Sequence, residues 1–339
     1  MTLSGLPARS RGAIIINRML LRSSLADLGF ASADIASIVQ HASTMPESGM
    51  RARLAQLKFG IDQAILTPEE ARTLLVDQPW FLDLEFRTAL EDEHIVAVSK
   101  PWDAQLKQDA TGERWAGEQT LRGYLEQNHQ EVFTDDGEVR LCHQLDFATS
   151  GVIVTAKSSV AADAVARCFR ERTSRKLYAA LVFGHPSWDA TRWEDRIMPS
   201  KRRFKQRISA GGKSAVTNAY VGARGVLRLG AEHRGRDATL LWLEPHTGRR
   251  HQLRLHCAHN EHAIVGDLTY AGDRLAYRTF LHAAALELPL RFRGDADDAP
   301  PQTVRIDAPL DPTAWAHAFE AHEPVQVPDG WEGAAEALL

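Results

Sequence analysis

The stretch from Leu141 to Val154 constrains this chain more than any other. The β-branched run Val152, Ile153, Val154 favours a strand, and apolar Leu141 opens the opposite flank. Between them lies a polar turn with one carboxylate, Asp146, and with Thr149, Ser150 and Gly151 just behind it. A carboxylate on a loop held between two buried strands is rigidly supported yet reachable, as a nucleophile or general base must be. Read alone, the turn equally suits an aspartate that only bonds its own backbone in an Asx-type contact.

The 339 residues suit one large or two modest domains with a sizeable core. With 44% apolar and 25% charged residues and no apolar run that could span a bilayer, the chain reads as soluble and globular. A net charge of -4 argues against indiscriminate nucleic-acid binding, but an average conceals patches. One such patch covers residues 196–213, where Arg196, Lys201, Arg202, Arg203, Lys205, Arg207 and Lys213 occur without an acid and with Phe204 among them. It reads as a solvated loop or as a phosphate-contacting surface. Cys142, Cys168 and Cys257 are odd in number and far apart, which fits reduced thiols in an intracellular compartment, cytoplasm or organelle. Residues 1–26 hold Arg9, Arg11, Arg18 and Arg22 and no acid, the composition of an organelle transit peptide or of a disordered basic tail.

Residues 27–80 read as a helical extension. Leu28-Gly29-Phe30 before Ile35 and Ile38 is echoed about thirty residues later by Leu57-Lys58-Phe59-Gly60, and Thr67, Pro68 and Glu70 make a strong helix start. That period suggests a short solenoid and resembles the repeats of mitochondrial transcription termination factors; helices packed on a main domain are the simpler reading. A domain is expected over 81–312. Within it Lys100-Pro101 closes a strand in residues 81–101, a short helix runs from Thr120 to Asn128, and Ser158 or Ser159 caps a helix with Ala161, Ala164, Val165, Cys168 and Phe169 on one stripe. Strands follow at Leu177–Phe183 and Ala238–Leu243, and Thr247-Gly248 is expected to cap a helix reaching about His259. Residues 313–339, rich in Pro, Glu and Ala, read as a tail.

Leu141–Val154 resembles the His-Arg-Leu-Asp-x-x-Thr-Ser-Gly signature of the RluA family of RNA pseudouridine synthases. Matching blocks follow in order: Asp92 to Pro101 ahead of it, then Arg170-Glu171-Arg172, Lys176-Leu177-Tyr178-Ala179-Ala180 to Pro186, His246 to His256, and Ile264 to Asp267. The likeness spans roughly Leu82 to Leu310, about two-thirds of the chain. Gln144 stands where the family usually has arginine, as in a eukaryotic branch.

The resemblance implies an α/β (α+β) fold with a mostly antiparallel mixed sheet, flanking helices and a central catalytic cleft. It implies an isomerase acting on uridines of rRNA, tRNA or mRNA, with no metal, no organic cofactor, no membrane and no obligatory protein partner, as a monomer. Asp146 becomes the catalytic carboxylate and Arg254 its cationic partner. Tyr178 lies beneath the target base, its ring a stacking face and its hydroxyl within reach of the C5 proton. His143, Gln144, Thr149, Arg170, Arg172 and Arg249 join Lys201, Arg202, Arg203 and Lys205 as RNA contacts.

Two rivals come from other classes. His246, His251, His256, His259, His262 and Asp267 crowd into 22 positions, a composition that suits a metallohydrolase, although His-Glu-x-x-His is absent. A catalytically silent RNA-binding or assembly protein is the other, and the retained Asp146, Tyr178 and Arg254 argue against it.

Overall fold

A computed structural model describes residues 25–26, 29–41, 67, 86–106, 120–201, 204–273, 276, 278–292, 300–309 and 312–332. Contacts divide the chain into two units, residues 1–85 with 107–120 and residues 86–106 with 121–339. In the first, α1 (Ser32–His41) has Asp34 in its first turn and buries Ile35 and Ile38. The basic segment 1–24, the second half of the repeat and Pro68 to Glu70 lie outside the described residues.

In the second unit β1 (Arg87–Glu91), β2 (Ile95–Lys100), α2 (Leu121–Asn128), β3 (Ser150–Ala156) and α3 (Ser159–Glu171) come first. Next are β4 (Arg175–Phe183), β5 (Ala190–Pro199), β6 (Gln206–Ile208), β7 (Lys213–Leu227), α4 (Gly230–His233) and β8 (Asp237–Pro245). The unit ends with α5 (Gln252–His259), β9 (Leu281–Leu290), β10 (Gln302–Asp307), α6 (Pro312–Ala318) and β11 (Phe319–Ala321). The described strands form an 11-stranded sheet in the order β1-β2-β3-β9-β4-β8-β7-β5-β6, with β10 beside β9 and β11 beside β7. Every described pairing is antiparallel except β3 with β9, so the fold is the mixed, mostly antiparallel one expected.

The one parallel pairing explains the residues behind Asp146. Gly151 takes φ 106°, and a Cβ there would stand 2.1 Å from the Ala283 carbonyl oxygen, so only glycine lets β3 lie this close to β9. Ser150 Oγ is 2.7 Å from His282 Nδ1, in a buried contact that ties the same point of the loop to β9. All seven residues of β3 are buried, as a continuous apolar run demands. On one side α3 packs its stripe of Ala164, Val165 and Cys168 on Val152, Val154, Leu286 and Leu288. Ser158 caps that helix by accepting the Ala161 N–H.

Two expectations need revision. The helix at Thr247 starts later: α5 runs Gln252–His259 with His251 at its N-cap. Thr247 is occupied elsewhere, donating to Gln252 Oε1 at 2.7 Å and accepting the Val216 N–H at 2.9 Å, which joins the end of β8 to β7. The chain beyond residue 312 returns to the sheet, where β11 pairs with β7 and Trp315 and Trp331 are buried. Pro, Glu and Ala give little sign of this, since the docking rests on two tryptophans and on backbone groups such as the Gln326 carbonyl, which accepts Trp242 Nε1–H at 2.7 Å.

Candidate active site

Asp146 sits where the loop before β3 opens onto a cavity of about 460 Å³. The loop is fixed from below by Lys100, 1% exposed at the end of β2, whose ammonium donates to the carbonyls of Pro101, Ala104 and Phe147 at 2.9, 3.1 and 2.9 Å. The Thr149 N–H closes the turn onto the Asp146 carbonyl at 3.0 Å. His143 accepts the Val154 N–H on Nε2 at 3.0 Å, so it holds the loop on β3 as a neutral ring. Burial, with Lys176 nearby, takes its pKa down to about 4.

The other half of the site comes from α5 and the segment after it. Arg254 Nη1 lies 3.6 Å from Asp146 Oδ2, while its Nε and Nη2 donate to the two oxygens of Asp267 at 2.8 Å each. Asp267 is fully buried, and its Oδ1 also accepts the N–H groups of Thr269 and Tyr270. The fork is therefore aimed by Asp267 and offers its remaining nitrogen to Asp146. Burial alone would lower the Arg254 pKa, but the Asp267 hydrogen bonds and the charges of Asp267 and Asp146 raise it. The guanidinium also lies 5.4 Å from the Tyr270 ring centre.

His251 holds a left-handed backbone, φ 56° and ψ 20°, a conformation strained for a side chain of this size. Its Nδ1 is 2.9 Å from Tyr270 Oη, which accepts the Gln206 N–H, and its Nε2 lies 3.9 Å from Asp146 Oδ1. Burial lowers its pKa, with Asp146 opposing that shift. Tyr178, on β4, lines the same cavity, and its pKa is pushed up by burial and then by the Asp146 charge, so the phenol stays protonated. Cys142 also lines it, but burial raises that thiol to about 12, which favours the neutral thiol over the thiolate.

Asp146, Tyr178, Arg254, His143, Gln144, Thr149, Arg170, Arg172 and Arg249 are thus brought to one cavity. Lys201 and Lys205 are not among the residues lining it; Lys205 donates to the Thr269 carbonyl at 2.6 Å, and Arg202 and Arg203 lie outside the described residues. The histidines of the metallohydrolase rival are dispersed among other partners: His251 on Tyr270, His256 on Thr217, His262 on the Phe183 carbonyl, with Asp267 committed to Arg254. Among the described residues these six do not form a metal-ligand set. Reading by motif missed Lys100, His251, Tyr270 and Lys176 as site residues and took Asp267 as a rival ligand. The one available signal was that Lys100, Lys176, His251 and Asp267 fall inside the matching blocks.

A mixed, mostly antiparallel sheet thus brings an aspartate, an arginine and a tyrosine to one cavity, and comparison with known proteins supplies the class. The sequence model of the RNA pseudouridylate synthase family matches residues 94–259. The chain is 32% identical over 245 residues to a zebrafish (Danio rerio) RNA pseudouridylate synthase domain-containing protein 1, covering 68% of this chain and 80% of that one. It is 34% identical over 221 residues to the dual-specificity RNA pseudouridine synthase RluA of Escherichia coli, covering 62% and 88%. The solved structure of human RNA pseudouridylate synthase domain containing 1 superposes with a TM-score of 0.59 at 27% identity, over 75% of this chain and 95% of that one. The chain belongs to the RluA-type RNA pseudouridine synthases.

Proposed function

We propose that this chain converts particular uridines in RNA to pseudouridine, with Asp146 as the carboxylate that acts at the sugar. The observation that carries the reading is a half-buried Asp146 in a cavity, with a fixed guanidinium nitrogen 3.6 Å from it. The reaction breaks the bond from C1′ to N1, turns the base, joins C1′ to C5, and moves a proton from C5 to N1. Nothing is oxidised or gained, so the chemistry calls for neither metal nor organic cofactor. It does need an anion where positive charge develops at C1′, as nucleophile or as electrostatic support. Arg254 gives that carboxylate a fixed cationic neighbour, 3.6 Å away.

Tyr178 offers the flipped uracil a ring face and a neutral hydroxyl, in keeping with its raised pKa. Extruding the base costs a few kcal/mol, which contacts along the strand must offset. Gln144, exposed at the cavity, Arg249 and the basic strand-to-strand segment of residues 196–213 supply those contacts in this reading. The three cysteines are free, consistent with a reducing compartment inside the cell, and the reading needs one copy of the chain. No described helix is long and apolar enough to cross a membrane.

The test is tritium release from total cellular RNA labelled at uridine C5. Wild type should release label, and Asp146→Asn should lose roughly 10³-fold or more of that rate while still binding RNA. Equal release from both proteins contradicts the reading.

A further inference from the structure

One cation of the cavity has no place in the scheme above. Lys176 lies two residues before Tyr178 on β4, so both side chains fall on the cavity face of the strand. Arg170 and Arg172, from the end of α3, line the same part of the cavity. Arg172 holds a left-handed backbone at φ 60°, a position where glycine is the easy choice, and there it sits close enough for its charge to depress the Lys176 pKa further. Among the described residues no carboxylate pairs with Arg170, Arg172 or Lys176. Among the described residues Asp146 is the one carboxylate that lines the cavity, and it lies 3.6 Å from Arg254. Arg170 and Arg172 are exposed and solvated, but Lys176 is half-buried beside Arg172 with no described counter-ion, a cost that an anionic ligand would relieve.

We propose that Lys176, with Arg172 and Arg170, holds a phosphodiester phosphate flanking the flipped uridine. This rests on the reading of the chain as an enzyme acting on RNA. The direction of β4 supports it. The strand runs from exposed Arg175 through half-buried Lys176 and Tyr178 to fully buried Ala179–Val182, so Lys176 stands nearer the outside than the ring assigned to the base. A nucleotide entering base first leaves its phosphates on that outer side. A guanidinium next to an ammonium suits the phosphate oxygens, with arginine contributing its fork and lysine a compact charge.

The test uses the trinucleotide UpUpU and its neutral methylphosphonate-linked twin, with affinities measured on the full chain. Wild type should bind UpUpU about fivefold to tenfold more tightly than the twin. Lys176→Met should bind the two alike, Lys176→Arg should retain the preference, and Lys176→Gln guards against a misfit of the apolar variant. Asp146→Asn should keep the preference, so this result is separate from turnover. Because the charge is a burden on the empty protein, Lys176→Met should also raise the melting temperature by a few degrees, which a merely structural lysine would not do. The proposal falls if Lys176→Met discriminates as wild type does, or if wild type binds both trinucleotides alike. Inorganic phosphate binding without that discrimination would mark a free-anion site and overturn it too. So would a variant that loses the preference only because its melting temperature has dropped.

Discussion

Two parts of one cavity treat positive charge in opposite ways. Arg254 is held by two 2.8 Å hydrogen bonds from buried Asp267 and reaches a second carboxylate, Asp146, with what remains. Lys176, Arg172 and Arg170 line the same space without a described carboxylate partner. The first arrangement is complete in the empty protein and serves to fix an anion that belongs to the chain. The second is the one proposed to meet an anion of the substrate. In the proposed scheme a preorganised pair serves the carboxylate that acts at the sugar, and the other three cations serve the RNA backbone.

The sharpest way to break the contrast is Asp267→Asn. It leaves Arg254 buried beside an amide, so stability should fall by roughly 3–5 kcal/mol. Turnover should fall by about 10²-fold, because the guanidinium is no longer aimed at Asp146. Chemical denaturation and initial rates read the two effects. Substitution of Lys176 does the reverse, since Lys176→Met should stabilise the fold while weakening RNA binding. If both variants destabilise alike, the two parts do not differ as described.

Lys100 sharpens the comparison from beneath. It is a buried cation whose ammonium donates to three backbone carbonyls, so it belongs with Arg254 among the partnered cations. Lys100→Met should cost roughly 2–4 kcal/mol in denaturant unfolding, since it strands those carbonyls, and should slow turnover through the loosened Phe147 carbonyl next to Asp146. An unchanged stability would show that the loop is held by Ser150 and Gly151 alone.

The smallest expected effects come from pH. Burial with the Arg172 charge lowers Lys176 from 10.5 to about 8, so its charge is present below pH 8 and lost above. Affinity for UpUpU should therefore decline between pH 7 and 9, and Lys176→Arg should flatten that decline. Stability moves the other way: the unfolded chain binds this proton more tightly, so the lysine's penalty eases as pH rises from about 8 towards 10.5. His143 and His256 are each lowered by burial from 6.5 to about 4, and they stabilise the neutral-pH fold. That contribution should be lost as pH falls from 6.5 to 4, and melting curves across the range would show it.

Much of this was legible in the sequence because the motif blocks are also the structural joints. Val152–Val154 read as a strand and is one, and Ser158 caps α3 as its position before an apolar stripe suggests. Asp146, Tyr178 and Arg254 converge as the blocks implied. What stayed hidden depends on contacts distant along the chain. Nothing local says that Lys100 reaches the Phe147 carbonyl 47 residues away, or that Thr247 is taken by Val216 and leaves His251 to open α5. Asp267 looked like one more ligand in a histidine-rich stretch until its two oxygens met Arg254. Lys176 was noted only as part of a matching block and given no role, because a lysine near the start of a strand is ordinary; what sets it apart is that, among the described residues, no carboxylate pairs with it.

The central claim, that Asp146 beside Arg254 isomerises uridine, is tested most directly by nucleoside analysis of RNA incubated with the protein. Wild type should convert uridine to an equal amount of pseudouridine, of unchanged mass, and Asp146→Asn should form none. Pseudouridine formed by Asp146→Asn at the wild-type level would contradict the account.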